Sequence, residues 1–393
     1  MNTGITNKRW VLFYGLISAF FLITLPVQAN FSSSRVQVAA ERPAAYLPLL
    51  TGKRLGLVVN ASSRVADQHL VDFLLAQGQQ VSVIFAPEHG FRGTADAGAH
   101  ISNSKDTQTG LPVVSLYGAN KQPSPEQLQE IDLLIFDVQD VGVRYYTYIS
   151  TLHYLMEAAA ETGVPLLVLD RPNPNGAYID GPTLEPEYRS FVGMHAIPLL
   201  HGLTVAELAR MIVGEGWLQS KKPLDLTVIP VNNYTHQTAY SLPVRPSPNL
   251  PNDQAIALYP SLGLFEGTIV SVGRGTPTPF QVIGLPSPDA GLFSFLPLSR
   301  PGASAPPYQG QVCYGYDLRS RSAQGLNLSY LLEMYQHHPS GDFFNPFFQK
   351  LAGTRQLQEQ IRSGWSEAQI RESWQADLLA YQHMRKAYLL YPD

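Results

Sequence analysis

The sequence predicts an α/β fold: a Rossmann-like, doubly wound, mostly parallel sheet followed by a smaller C-terminal α+β domain. Three observations predict it. Short, wholly apolar runs recur along the first 230 residues. Amphipathic helical stretches alternate with them. Near residue 243 the composition shifts, with Pro243, Pro246, Pro248 and Pro251 crowding one loop before a segment rich in Gly, Pro and aromatics. Strands that are apolar on both faces, separated by helices, belong to a parallel sheet covered on both sides.

The elements follow in order. The apolar runs are Arg54 to Asn60, Val81 to Phe85, Pro112 to Leu116, Ile131 to Phe136, Val164 to Leu169 and Leu226 to Val231. Leu70, Phe73 and Leu74 fall at helical spacing, and Gly78 stops that helix. Ser124-Pro125-Glu126-Gln127 combines an N-cap, a proline at the first helical position and a capping box. Leu152, Leu155, Met156 and Ala159 form a helical stripe ending at Gly163, and Thr204 with Glu207 caps the next helix. Helices return near Leu328, and Ser366 with Gln369 forms a further capping box.

The N-terminus reads as an export signal. Lys8 and Arg9 precede an apolar run from Val11 to Val27, and Val27-Gln28-Ala29 presents small residues for cleavage. The expected organisation is a signal peptide over 1–29, a tether over 30–45, a Rossmann-like domain over 46–248 and an α+β domain over 249–393. The expected location is periplasmic or secreted, with membrane contact only through the signal segment if it stays uncleaved. The net charge is −4, or −6 once Lys8 and Arg9 leave with the signal, which argues against a nucleic-acid partner. Cys313 is the single cysteine, so no internal disulfide is available, and it reads as a packed small hydrophobe.

Motif searches exclude several chemistries. No G-x-G-x-x-G follows the first strand, and no P-loop, G-x-S-x-G or H-E-x-x-H occurs. No His or Cys spacing suggests a metal, and no cofactor is implied. Polar residues do gather where the strands end. Asn60 ends the first, Glu88-His89-Gly90 follows the second, Asp137 and Asp140 follow the fourth, and Asp170, Arg171 and Asn175 follow the fifth. In such sheets, ligands bind beyond these carboxyl ends. Asp and Asn there are also ordinary turn formers and caps. Glu is neither, so Glu88, held between Pro87 and Gly90, is the leading catalytic candidate. His89 reads equally as a supporting group, a ligand contact or a packed side chain. Arg144-Tyr145-Tyr146-Thr147-Tyr148 offers a guanidinium and three tyrosines, suited to a carboxylate and a sugar face. Asn249, Glu266 and Arg274 form a last cluster among glycines.

Taken together, Pro87-Glu-His-Gly-Phe-Arg-Gly93, Asp137-Val-Gln-Asp-Val-Gly142, Arg144-Tyr-Tyr-Thr-Tyr148, Asp170-Arg-Pro-Asn-Pro-Asn-Gly176, Asp180-Gly-Pro182, His201-Gly202, Pro246-Ser-Pro-Asn249, Glu266-Gly-Thr268 and Gly273-Arg-Gly-Thr276 resemble the NamZ-like exo-β-N-acetylmuramidases. The resemblance runs from about residue 50 to the C-terminal segment ending at Tyr391. It implies a two-domain protein whose second domain closes the cleft. It also implies release of N-acetylmuramic acid from the non-reducing ends of peptidoglycan fragments, so the expected partner is a peptidoglycan-derived glycan or muropeptide. Ile269, Val272 and Gln281 depart from the family pattern, and these positions are expected at the rim of the site.

On that reading Glu88 donates the proton to the leaving oxygen. Asp140, Asp137, Asp170 and Glu266 are candidates for a second carboxylate, with Asp140 and Glu266 foremost. A separation of ~5 Å would give retention, and roughly 6.5–9.5 Å inversion; a third route uses the substrate's N-acetyl group as nucleophile. Arg92, Arg144, Arg171 and Arg274 are candidates for the lactyl carboxylate, Arg144 and Arg171 being favoured. Asn60, His89, Asp137, Tyr145, Asp170, Asn175 and Asn249 complete the expected substrate contacts. The rival functions are a non-catalytic muropeptide binder and an esterase or amidase, the last disfavoured by the missing nucleophile elbow.

Overall fold

The structure is a computed structural model that describes residues 1–4, 35–91, 104–338 and 342–393. The chain divides into Met1–Ser34 and Arg35–Asp393. In the first unit Met1–Gly4 carries no helix or strand. The apolar run 11–27, its expected cleavage site and Arg92 lie outside the described residues.

All six apolar runs form strands: β1 (Arg54–Val59), β2 (Gln80–Ala86), β3 (Pro112–Ser115), β4 (Leu133–Asp137), β5 (Leu166–Leu169) and β6 (Leu226–Ile229). They lie in the order β6-β5-β4-β1-β2-β3, with each neighbouring pair parallel. Ser104–Lys105 adds a short antiparallel edge beyond β3. This is the doubly wound order, in which the chain reverses direction across the sheet between β1 and β4. Asn60 and Asp137 therefore stand side by side at the switch point, since Val59 pairs with Asp137.

The period of two along each strand divides the core into two layers. Leu134 and Phe136 of β4, with Leu166 and Val168 of β5, join one buried cluster. Leu133, Ile135, Leu167 and Leu169 join another on the opposite face. The second layer is covered by α1 (Pro43–Leu50) and α2 (Leu70–Ala76) through Tyr46, Leu50, Leu70 and Leu74. Residues 38–40 are buried in that same layer. The tether expected over 30–45 is therefore corrected across its last part: Ala39 and Ala40 have small side chains that pack beneath Tyr46, whose hydroxyl donates to the Ala40 carbonyl at 2.9 Å. Gly56, in the central strand, is needed for close approach. A Cβ there would come within 3.0 Å of Leu134 and 3.1 Å of Phe85.

The first layer is covered by α3 (Pro125–Leu128), α4 (Tyr148–Thr162), α5 (Val205–Gly214) and α6 (Asp253–Leu262). The capping boxes expected at Ser124, Thr204 and Ser366 all form, and Gly163 ends α4 in the left-handed conformation. This layer continues without a break into the later helices through Leu351, Ile361, Ile370, Trp374 and Tyr381. After α6 comes a three-stranded antiparallel sheet of Val282–Leu285, Cys313–Asp317 and Phe293–Phe295, then, among the described residues, five helices. Cys313 is buried there, and burial pushes its thiol up to about 11, as expected of a packed hydrophobe.

Candidate active site

Beyond the carboxyl end of β2 the chain turns sharply. Pro87 is followed by half-buried Glu88, then by His89 and Gly90 at φ +69° and +77°. A non-glycine residue in the left-handed region is uncommon, and such conformations gather where surrounding structure holds a functional group in place. Glu88 opens into a cavity of about 490 Å³, a size usual for a small-molecule site.

The start of α4 forms one wall. Thr147 Oγ1 donates to Glu88 Oε2 at 2.6 Å. The Tyr117 hydroxyl, just past β3, also bonds Glu88; burial, then the Glu88 charge, pushes that phenol up to about 12. Tyr146 and Tyr148 anchor on the Pro246 carbonyl at 2.9 and 3.2 Å, and Tyr145 on those of Tyr259 and Pro260, both at 2.8 Å. Their hydroxyls hold the proline-rich loop and α6 against α4, while their rings line the cavity.

The opposite wall comes from the segment after α6. Glu266 and Arg274 line the cavity and are joined by a bond of 2.7 Å from Arg274 Nε to Glu266 Oε1. Burial pulls the Arg274 guanidinium down, but Glu266, with smaller help from Tyr259 and Glu88, holds it above its ordinary value. Arg274 lies over the Phe280 ring at 5.1 Å, and Phe280 itself sits at φ +55°. Thus two strained residues, His89 and Phe280, face one cavity. Burial, then Glu266 and more weakly Glu88, raise the pKa of Tyr259, so the two carboxylates act on one electrostatic site.

The expected contacts divide sharply. Glu88, His89, Tyr145, Glu266 and Arg274 line the cavity. Asn60, Asp137, Asp140, Arg144, Asp170, Arg171, Asn175 and Asn249 are buried and do not line it. Asp137 and Arg171 form a two-pronged pair at 2.5 and 2.9 Å. Asp170 accepts from Thr204 Oγ1 at 2.7 Å, the Ala206 N–H at 3.0 Å and Tyr391 at 2.5 Å; it therefore caps α5. Asn60 accepts from Ser62 and also bonds Tyr148. Asn175 and Asn249 donate to the carbonyls of Val141 and Gly302 at 2.9 and 2.8 Å.

Arg144, favoured for the lactyl carboxylate, is the clearest correction. It is wholly buried. Its Nη1 donates to the carbonyls of Pro182 and Ile197 at 2.6 and 2.8 Å, and Nη2 to those of Leu351 and Ala352 at 3.1 and 2.6 Å. Its forks are spent on backbone. Burial pulls its pKa down to about 9. Asp140 is likewise enclosed: Oδ2 accepts from the Gly142 N–H at 2.6 Å, and burial pushes the carboxyl up to about 7 against the pull of that bond and the Val141 N–H. Ile269, Val272 and Gln281 do not line the cavity. Val272 and Gln281 are buried, and Gln281 accepts from Asn252 at 3.2 Å.

Sequence reasoning missed Tyr117, Tyr259, Phe280 and the wall formed by 302–307. Tyr117 had the same signal as Glu88, a position just past a strand end. The others had none, being brought in by the fold of the second half. Among the described residues no three His, Cys, Asp or Glu side chains form a metal site.

Comparison with known proteins bears on this arrangement. Residues 55–254 match a family described as exo-beta-N-acetylmuramidase NamZ, N-terminal, and residues 257–391 match its C-terminal counterpart. The chain is 40% identical to the peptidoglycan beta-N-acetylmuramidase NamZ of Bacillus subtilis (strain 168), over 88% of this chain and 89% of the relative. Two crystal structures of DUF1343 family proteins from Bacteroides fragilis are similar. One has a TM-score of 0.85 at 46% identity, covering 92% of this chain and all of that one. The other has a TM-score of 0.76 at 28% identity, covering 91% and 99%.

Proposed function

This chain belongs to the exo-beta-N-acetylmuramidase NamZ family and is a glycosidase, and from that premise we propose that Glu88 is the general acid that releases N-acetylmuramic acid from the non-reducing ends of peptidoglycan fragments. The observation that carries the assignment is the placement of Glu88 on the cavity wall, with its carboxyl group fixed by Thr147 and Tyr117.

Glycoside hydrolysis needs a carboxyl group able to protonate the leaving oxygen as the bond from the anomeric carbon breaks. A fixed carboxyl orients that proton and loses little freedom in the transition state. Tyrosine rings around the cavity offer flat apolar faces to a sugar and polar edges to its hydroxyls. Among the described residues Glu266 is the second carboxylate lining the cavity, and its bond to Arg274 suits electrostatic support of the positively charged transition state. The substrate's own N-acetyl oxygen is then the alternative nucleophile to Glu266. Ile269, Val272 and Gln281 lie off the cavity lining, which favours an active enzyme over a non-catalytic binder. Export completes the proposal, resting on the N-terminal sequence, and cell fractionation tests it.

The deciding assay compares wild type and Glu88→Gln on a chromogenic N-acetylmuraminide. Release by wild type and not by the variant supports the assignment. Equal release by both removes Glu88 from the acid role, and no release by wild type defeats the muramidase reading. Proton NMR of the first-formed anomer separates inversion from the two routes that retain configuration.

A further inference from the structure

A second recess borders the active-site cavity, sharing Phe191, Val192 and Phe347 with it. Its volume is about 550 Å³. Three cations surround it: Lys121, Arg189 and Lys350. Arg189 and Lys350 are exposed and Lys121 is half-buried. No carboxylate among the described residues forms a salt bridge with any of the three. That is unexpected on a chain with net charge −4, where surface cations readily find acidic neighbours. The floor is aromatic: Tyr154 stacks beside Phe191 at 6.2 Å, and Lys121 Nζ lies 5.1 Å from the Phe191 ring centre. The position is set by α4. Thr147 and Tyr148 at its start face Glu88, and Tyr154 lies six residues further, about 9 Å of helix rise away.

We infer that this recess is an anion-binding annex of the active site, taking a carboxylate carried on the lactyl branch of the sugar. The inference rests on the muramidase reading, and it replaces Arg144 and Arg171 as the source of positive charge. The chemistry fits in three respects. The annex shares three lining residues with the space for the sugar, so a branch directed over Phe191 and Phe347 can reach it while the sugar stays at Glu88. Among the described residues its cations have no carboxylate partner to displace, Lys121 resting on the Phe191 ring and Arg189 Nη2 lying 3.4 Å from His153 Nε2. Its aromatic floor accepts the apolar part of an acyl or peptidyl chain. Two sources share this chemistry: the lactyl acid itself, and the acidic residue of a peptide linked to it. Two extended residues reach about 7 Å beyond the lactyl arm that carries them, which brings the longer branch to the scale of that helix rise.

The test is calorimetric titration of wild type and the double variant Lys121→Gln/Lys350→Gln with three ligands: N-acetylmuramic acid, its neutral lactyl amide, and N-acetylmuramoyl-L-Ala-D-Glu. Wild type should bind at least one acid about 5- to 10-fold more tightly than the amide, the scale expected for two exposed charge contacts. Raising salt should shrink that preference. The variant should lose the preference while keeping its melting temperature, which is recorded alongside. A preference for the free acid names the lactyl carboxylate; a preference confined to the dipeptide names the peptidyl one. An unchanged preference in the variant, or none in wild type, overturns the annex. Failure of wild type to bind any of the three counts against the muramidase reading itself.

Discussion

Two polar regions lie along the same edge of the sheet, and they differ in where their hydrogen bonds go. At the switch point between β1 and β4, Asn60, Asp137, Arg171 and Asp170 bond to protein and are sealed from solvent. One crevice over, beyond β2, Glu88 takes bonds from Thr147 and Tyr117 yet remains at a cavity. The crevice that usually holds a ligand in a doubly wound sheet is here wired shut. The difference teaches that strand-end position marks candidates, and that unspent hydrogen-bonding capacity facing a cavity selects among them.

The largest expected effect is on chemistry. Glu88→Gln should lower kcat by about 10²- to 10⁴-fold, the usual worth of a positioned acid, with the thermal midpoint held; steady-state kinetics and calorimetry read both. A comparable kcat loss in Asp137→Asn at unchanged stability would break the contrast between the regions.

Arg144→Met should act on stability instead. It leaves four buried carbonyls without their donors, a loss of about 3–5 kcal/mol by analogy with a broken buried charge contact. Urea denaturation measures it. A stable variant with a raised KM would restore Arg144 as a substrate contact.

Thr147→Val sharpens the picture of Glu88. It removes one hydrogen bond while keeping shape, and kcat should fall about 5- to 10-fold, in line with about 1–1.5 kcal/mol for such a bond. An unaltered kcat would mean that Tyr117 alone orients the acid.

The remaining expected effect is a pH slope. The folded pKa of Asp140 is raised from 3.8 to about 7, so between these values the folded state binds more protons than the unfolded one. Stability from this group is therefore fully present below about pH 4 and is lost as pH rises towards about 7. Asp170, raised to about 7 by burial, adds a slope of the same sign. Asp140→Asn should flatten part of the decline between pH 4 and 7 in a denaturation series, leaving the part due to Asp170.

Much of the fold was legible because its signals are local. Apolar runs gave all six parallel strands, and Ser124, Thr204 and Ser366 gave their helix starts. The site was legible only in part. Strand ends pointed to Glu88, and the motif 144–148 pointed to the facing wall. Periodicity says nothing about which way a residue faces after the strand has ended, so Arg144 and Arg171 looked as available as Arg274. Tyr259 is tied to the cavity wall by the Tyr145 hydroxyl, 114 residues away, Phe280 packs on Tyr259, and Gly302 is held by Asn249, 53 residues away; no local pattern encodes these contacts.

The four partners of Arg144 have one property in common: all are main-chain carbonyls, two of them more than 200 residues away. Any side chains that let residues 351–352 follow the same backbone path would satisfy the clasp, as long as Gly353 remains, since a Cβ there would meet the guanidinium at 2.5 Å. The join between the two matched halves is thus written in geometry more than in sequence. Chimeras that exchange residues 257–391 between relatives should keep this clasp intact wherever the incoming half supplies a glycine at position 353.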